Sequence, residues 1–284
     1  MPAMPGLIHR FLLAKLQLEE ILLNCPSDMG AALKDLPRSP DDAYRKVLAR
    51  IEKKGKVTRT RAYHALSWVF HAIRPLGCEE LLAIVNVESD GKDSENPVTE
   101  IGHIIEACEG LIVDESESWE RYRIVRFAHS TVREFLQEFH DGTDRALGSS
   151  LLRQTDIALS CIRYLDSEKF ECGDWESDSH LLVAKHKFAE YAACFWAVHT
   201  KGQAEKIEGI QKEILILASE KSRRNGVSRV ALFPPRLYRF PPRFVGLSWP
   251  SFEEDHTILH FLAAHGLATI CNLALNGLLI SSDR

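Results

Sequence analysis

The sequence predicts a mainly α-helical protein carrying one small β-hairpin. Three observations lead there. Apolar residues recur at spacings of three and four along most of the 284 residues. Helix starts and stops, such as Ser39-Pro40, Pro75 and Gly110, punctuate that pattern. One alternating run, residues 122–127, follows a short apolar run at 111–114 and breaks the helical period with a period of two.

Taken in order, residues 7–23 read as a helix with Phe11, Ala14, Leu18, Ile21 and Leu22 on one face and Lys15 and Glu19 off it. Residues 40–54 form a better punctuated one. Ser39 is placed to cap it, Pro40 suits the first turn, and Asp41 and Asp42 complement the positive end of the dipole. Tyr44, Val47, Leu48 and Ile51 make its apolar stripe, and Lys53, Lys54 and Gly55 close it. Ala62, Ala65, Leu66, Val69, Phe70 and Ile73 mark the face of the next helix, which Pro75 ends. Glu79 and Glu80 open a short helix carrying Leu81, Leu82, Ile84 and Val85. Asn96-Pro97 then reads as cap and first turn of a third helix, with Val98, Ile101, Ile104, Ile105 and Cys108 inward and Gly110 as its stop. The runs 111–114 and 122–127 pair across a polar turn. Three short helices followed by a hairpin is the order of a winged-helix domain.

Helices resume afterwards. Thr131 and Glu134 have capping-box spacing for one carrying Val132, Phe135, Leu136 and Phe139, and others are expected near 150–165, 181–199 and 203–220. Residues 221–243 differ. They hold Lys221, Arg223, Arg224, Arg229, Arg236, Arg239 and Arg243, no acid and two Pro-Pro pairs, which suits an irregular connector. Residues 257–275 are helical again. The expected organisation is a helical lead-in over 1–55, a winged-helix domain over 56–145, a helical domain over 146–220, a basic Pro-rich linker over 221–250 and a last unit over 251–284.

Composition bounds the function. With 35 basic against 40 acidic side chains the net charge is −5, which weighs against whole-chain attraction to nucleic acid or an anionic membrane. Cysteines at 25, 78, 108, 161, 172, 194 and 271 form no C-x-x-C pair and read as thiols of a reduced intracellular protein. Arg10 and Lys15 break the first apolar stretch, so no signal peptide is expected, and no apolar run approaches the ~20 residues of a bilayer span. The expectation is a cytoplasmic protein with no membrane partner.

Chemistry-bearing motifs are few. G-x-x-x-x-G-K-[ST], G-x-S-x-G and H-E-x-x-H are absent, and no catalytic residue is assigned. His256 and His260 share a helical spacing but lack a third ligand, so no metal site is assigned either. Arg236, Arg239 and Arg243 are interleaved with Phe233, Tyr238, Phe240 and Phe244, a mixture that binds single strands by charge and stacking. The acidic whole chain favours a solvated linker instead. A winged helix reads DNA through its third helix, but residues 98–108 carry Glu100 and Glu106 and no Lys or Arg, which argues against that use. His129 sits between the second strand and a helix start. There it is placed either to donate to an anion or to bond structurally to a nearby carbonyl.

A set of segments, in order, resembles a known family. These are Ala31-Ala32-Leu33-Lys34-Asp35-Leu36-Pro37 with Asp42-Ala43-Tyr44 and Arg50-Ile51; Ala65-Leu66-Ser67-Trp68 with Arg74-Pro75-Leu76 and Glu79-Glu80-Leu81; and Cys108-Glu109-Gly110-Leu111-Ile112. They continue with Phe127-Ala128-His129-Ser130, Val132, Glu134, Phe135 and Leu136, then Cys161, Tyr164 and Leu165, then Phe188, Tyr191, Ala192, Trp196 and His199. The order resembles the region after the nucleotide-binding core of fungal NACHT–ankyrin proteins, members of the STAND class of signal-transducing ATPases. Its middle part is similar to the winged helix named after a GPI inositol-deacylase, which implies a domain shape and not that activity. Thr257, Leu259, His260, Ala263, Gly266, Ile270 and Leu275 resemble an ankyrin repeat, with departures at Ile258 and Leu262.

The resemblance implies a mainly α protein with a winged-helix domain, flanking helical domains and an incipient ankyrin repeat, shortened at both ends relative to the family. Its role would be that of a regulatory arm with protein partners, such as a NACHT core or an ankyrin ligand. His129 would be a nucleotide sensor touching the phosphates of ADP in the resting state. With the P-loop, Walker B acid and Mg²⁺ site missing from this sequence, that role is vestigial here or depends on another chain. No cofactor is expected, and ADP or ATP enters only with a core supplied from elsewhere.

Overall fold

The computed structural model describes residues 14–15, 17–18, 21–22, 29–34, 36–87, 97–116, 123–140, 151–167, 185–232 and 257–282. Residues 14–22 are helical where described, but Leu18 and Leu22, assigned above to the apolar face, are 57% and 65% exposed. A short helix α1 (Met29–Lys34) precedes α2 (Pro40–Glu52). The predicted cap of α2 is present and reciprocal. Ser39 Oγ accepts the Asp42 N–H at 3.1 Å, and Asp42 Oδ2 accepts the Ser39 N–H at 3.1 Å. Its buried stripe is Tyr44, Val47, Leu48 and Ile51 as expected, with Ala43 added.

The winged helix follows as α3 (Lys56–His71), β1 (Leu76–Gly77), α4 (Cys78–Val85), α5 (Ile101–Ala107), β2 (Ile112–Ser116), β3 (Arg123–Phe127) and α6 (Ser130–His140). Three departures have physical causes. The hairpin is extended to a three-stranded antiparallel sheet, ordered β1-β3-β2, because Leu76 pairs with Val125 and Gly77 with Ile124. A two-residue strand has no alternation to read. Helix α5 begins at Ile101 rather than at Pro97, because Asn86 holds both backbone groups of Val98, at 2.7 and 2.8 Å, outside the helix. Helix α6 begins at Ser130, which puts Thr131 inside its first turn instead of at the cap.

Glu109 and Gly110 end α5 in the left-handed region, at φ 52° and 76°. Glu109 is held in that conformation by Arg50 at 3.1 Å and Lys54 at 2.5 Å.

The second half is a helical bundle: α7 (Gln154–Leu165), α8 (Ala189–Thr200), a 3₁₀ turn (Ala204–Lys206), α9 (Glu208–Ser219) and α10 (Lys221–Leu232). Helix α10 corrects the reading of residues 221–232 as an irregular connector. Val227 and Val230 are fully buried, and Arg223 and Arg224 turn inward. Arg223 pairs with Asp166 beyond α7, and Arg224 donates to the carbonyls of Ala218 and Ser219. Burial stabilises the helix once these cations have partners, which composition alone does not reveal. A last pair, α11 (Ile258–Ala264) and α12 (Ala268–Ser282), occupies the stretch expected to be helical over 257–275. The turn between them contains Gly266 at φ 70°. One continuous apolar core runs from Tyr44 to Ala274.

Candidate functional site: the junction of winged helix and bundle

Arg74 lies just past α3, in the bend before Pro75. Its guanidinium donates to Glu80 twice, Nη1 to Oε2 at 2.8 Å and Nη2 to Oε1 at 2.7 Å, and also to the Pro75 carbonyl at 3.1 Å. Glu80 Oε2 further accepts the Gly77 N–H at 2.8 Å, at the first turn of α4 where a carboxylate is favoured. The two side chains are 3% and 0% exposed. A pair taken so far from water is tolerable only when its other hydrogen bonds are made, and these contacts make them.

The bundle meets the same guanidinium from the other side. Glu190 Oε1 lies 3.7 Å from Arg74 Nη2, and the rings of Tyr191 and Phe195 lie 5.3 and 5.8 Å from Cζ. One arginine of the winged helix thus touches three side chains of α8. Tyr191 Oη accepts the Ile73 N–H at 3.0 Å and lies 2.9 Å from His199 Nε2, while His199 Nδ1 lies 2.9 Å from the side-chain amide of Gln154. Burial, with His71 nearby, lowers the His199 pKa to about 4. The ring is therefore neutral near pH 7, with one donor and one acceptor for its two partners. Burial also pushes the Tyr191 hydroxyl up.

A second polar seam runs beside it. Ser67 Oγ donates to the Tyr63 carbonyl at 2.6 Å and accepts the Leu152 N–H at 2.9 Å, and His71 Nε2 meets the Leu152 carbonyl at 3.1 Å. Trp68, fully buried, sits between the seams with its ring edge-on to Phe188, Tyr191 and His199. This arrangement holds geometry. Burial pushes the thiols of Cys108 and Cys161 up and that of Cys194 to about 12, which disfavours their thiolate forms.

His129 stands apart from this hub. Its Nδ1 accepts the Thr131 N–H at 3.2 Å and lies 2.9 Å from Thr131 Oγ1, which is 2.7 Å from the Tyr44 hydroxyl. His129 therefore caps α6, the task assigned above to Thr131, and its partner is Thr131 rather than a carbonyl. With Nδ1 accepting an N–H, Nε2 is the ring's donor. Arg236, Arg239, Arg243 and His256 lie outside the described residues. Among the described residues no three His, Cys, Asp or Glu side chains cluster as metal ligands, and no helix is long and apolar enough to cross a membrane.

At the far end, Thr257 and His260 cap α11 reciprocally. Thr257 Oγ1 accepts the His260 N–H at 3.4 Å and lies 2.9 Å from His260 Nδ1. Trp196 of α8 stacks on Phe261, with ring centroids 5.7 Å apart and planes 14° apart.

In the sequence Arg74, Glu80, Tyr191 and His199 stand out only as part of a family resemblance, Glu80 also at a helix start, and carry no assigned role at a site, though a signal exists. Glu80 shares the buried side of α4 with Leu81 and Ile84, and Glu190 is the one acid of an otherwise apolar α8. An acid on a buried face implies a buried cation.

Residues 49–148 match the family model for the winged helix domain of GPI inositol-deacylase. No curated protein and no solved structure matches the chain.

Proposed function

We propose that the chain is a non-catalytic regulatory arm of a STAND-type NACHT–ankyrin signalling protein, relaying between a nucleotide-binding core and an ankyrin sensor. The observation that carries this reading is the Arg74 hub. It fastens the winged helix to the bundle through Glu80, Glu190 and Tyr191, and Trp196 carries the contact on to α11. A displacement applied at one end of such a body is transmitted to the other, because packed interiors resist deformation. The winged-helix match supports the middle of this assignment. The Thr257–His260 cap and the α11–α12 pair support the repeat-like end. The partner is a protein, and a nucleotide arrives only with the core.

The test is capture of a separately expressed P-loop NACHT core by the full chain, with ADP or a non-hydrolysable ATP analogue present. Nucleotide-dependent capture that weakens in His129→Ala is expected, with no ATP hydrolysis by the chain alone. Equal capture in both nucleotide states would reject the relay. The competing reading is nucleic-acid binding through residues 221–243. It would be favoured by salt-dependent binding of single- or double-stranded DNA or RNA that is lost on Arg→Ala changes at Arg236, Arg239 and Arg243. Arg223 and Arg224, turned inward, do not contribute to such a surface.

A further inference from the structure

A cleft of about 210 Å³ opens between the winged helix and the bundle, with Trp68 and Phe188 in its floor and His64, Leu159, Ser160 and Arg163 around it. The Trp68 side chain is fully buried, yet its indole N–H has no acceptor among the described residues. Buried donors are rarely left so, and an orphan in a cleft wall calls for something that supplies the acceptor. Burial lowers the His64 pKa to about 4, so its ring is neutral near pH 7 and presents one N–H and one acceptor nitrogen. The Asp156 carboxylate and the Arg163 guanidinium nearby are engaged. The Asp156 carboxylate takes the Arg153 N–H at 2.8 Å and its guanidinium at 3.3 Å, and the Ser160 hydroxyl donates to the Asp156 carbonyl at 2.8 Å. The guanidinium of Arg163 is paired with Glu213 at 3.2 Å.

We propose that this cleft binds a small, largely apolar molecule of about ten non-hydrogen atoms bearing one neutral carbonyl, whose oxygen accepts the Trp68 indole N–H. The apolar body lies against Leu159 and Phe188. A neutral carbonyl is preferred to a carboxylate because the nearby donors Trp68 and His64 are uncharged and Asp156 lines the same cleft. The indole is closed to water. A ligand therefore reaches it by widening the gap between α3 and α7, and binding favours the widened junction. The same indole packs against Tyr191 and His199, with ring centroids 5.9 and 6.4 Å away, so occupancy of the cleft acts on the Arg74 hub.

Proton–nitrogen NMR spectra of the full chain titrated with phenylacetamide test this, the Trp68 indole resonance being identified by its loss in Trp68→Phe. Saturable movement of that resonance at roughly millimolar concentration is expected for so small a ligand. Binding should weaken at least threefold in Trp68→Phe and disappear in Leu159→Trp, which fills the cleft from its rim. An unmoved indole resonance, or undiminished binding to a folded Leu159→Trp chain, would overturn the site. Phenylacetate binding as tightly as phenylacetamide would overturn the neutral-carbonyl assignment. Nucleotide-dependent capture of the core is read out separately, so either conclusion can fail without the other.

Discussion

Arg74 and Glu80 are joined by two hydrogen bonds, 2.8 and 2.7 Å long, with neither side chain more than 3% exposed. Glu190 shares the same guanidinium from the neighbouring half of the molecule. Replacing Arg74 by Met removes the cation from between two buried carboxylates, and a loss of about 3–5 kcal/mol is expected by urea unfolding. Arg74→Lys keeps the charge but not the two-pronged geometry, and is expected to fall between. Because the hub joins two units, Arg74→Met should also split one unfolding transition into two by calorimetry. A single unchanged transition would show that the hub does not couple them.

The Tyr44, Thr131 and His129 side chains form a chain of contacts 2.7 and 2.9 Å long at the start of α6. Tyr44→Phe and Thr131→Val are each expected to cost about 1 kcal/mol. Both remove the same hydrogen bond, so the double variant should lose less than the sum of the singles, which a double-mutant cycle measures.

His199 gives stability a pH dependence. Its folded pKa of about 4 lies below the ordinary 6.5, so the unfolded chain binds more protons between those values. The neutral ring's contribution is complete above about pH 6.5, shrinks as pH falls, and is gone below about pH 4. The difference corresponds to about 3 kcal/mol. His265, lowered to about 3, and His64, lowered to about 4, act in the same direction. Urea midpoints measured between pH 4.5 and 7.5 should rise with pH, and His199→Gln should flatten that rise.

Thr257→Ala removes the hydroxyl that caps α11 and is expected to cost about 1 kcal/mol. The loss should be local. Amide hydrogen exchange should speed up in α11 and α12 while α3 and α4 keep their protection.

How far the sequence could be read differs by element. The cap of α2, the stripe of Tyr44, Val47, Leu48 and Ile51, and the β2–β3 hairpin were legible, because each rests on neighbours within a few residues. The start of α5 was not, since it depends on Asn86, twelve residues away from Val98. Helix α10 was not either. Its cations look solvated until Asp166 and the end of α9 are brought beside them.

By itself the sequence determined a helical chain with a winged-helix order and the capped start of α2, because hydrophobic spacing, caps and turns are short-range properties. Only the tertiary structure decided that Arg74 faces Glu80 and Glu190, that His129 rather than Thr131 caps α6, and that the Trp68 indole, beside a cleft, finds no acceptor among the described residues. Those relationships join residues up to 116 positions apart, between Arg74 and Glu190. Their energies come from burial and pairing, which exist only once the chain has closed on itself.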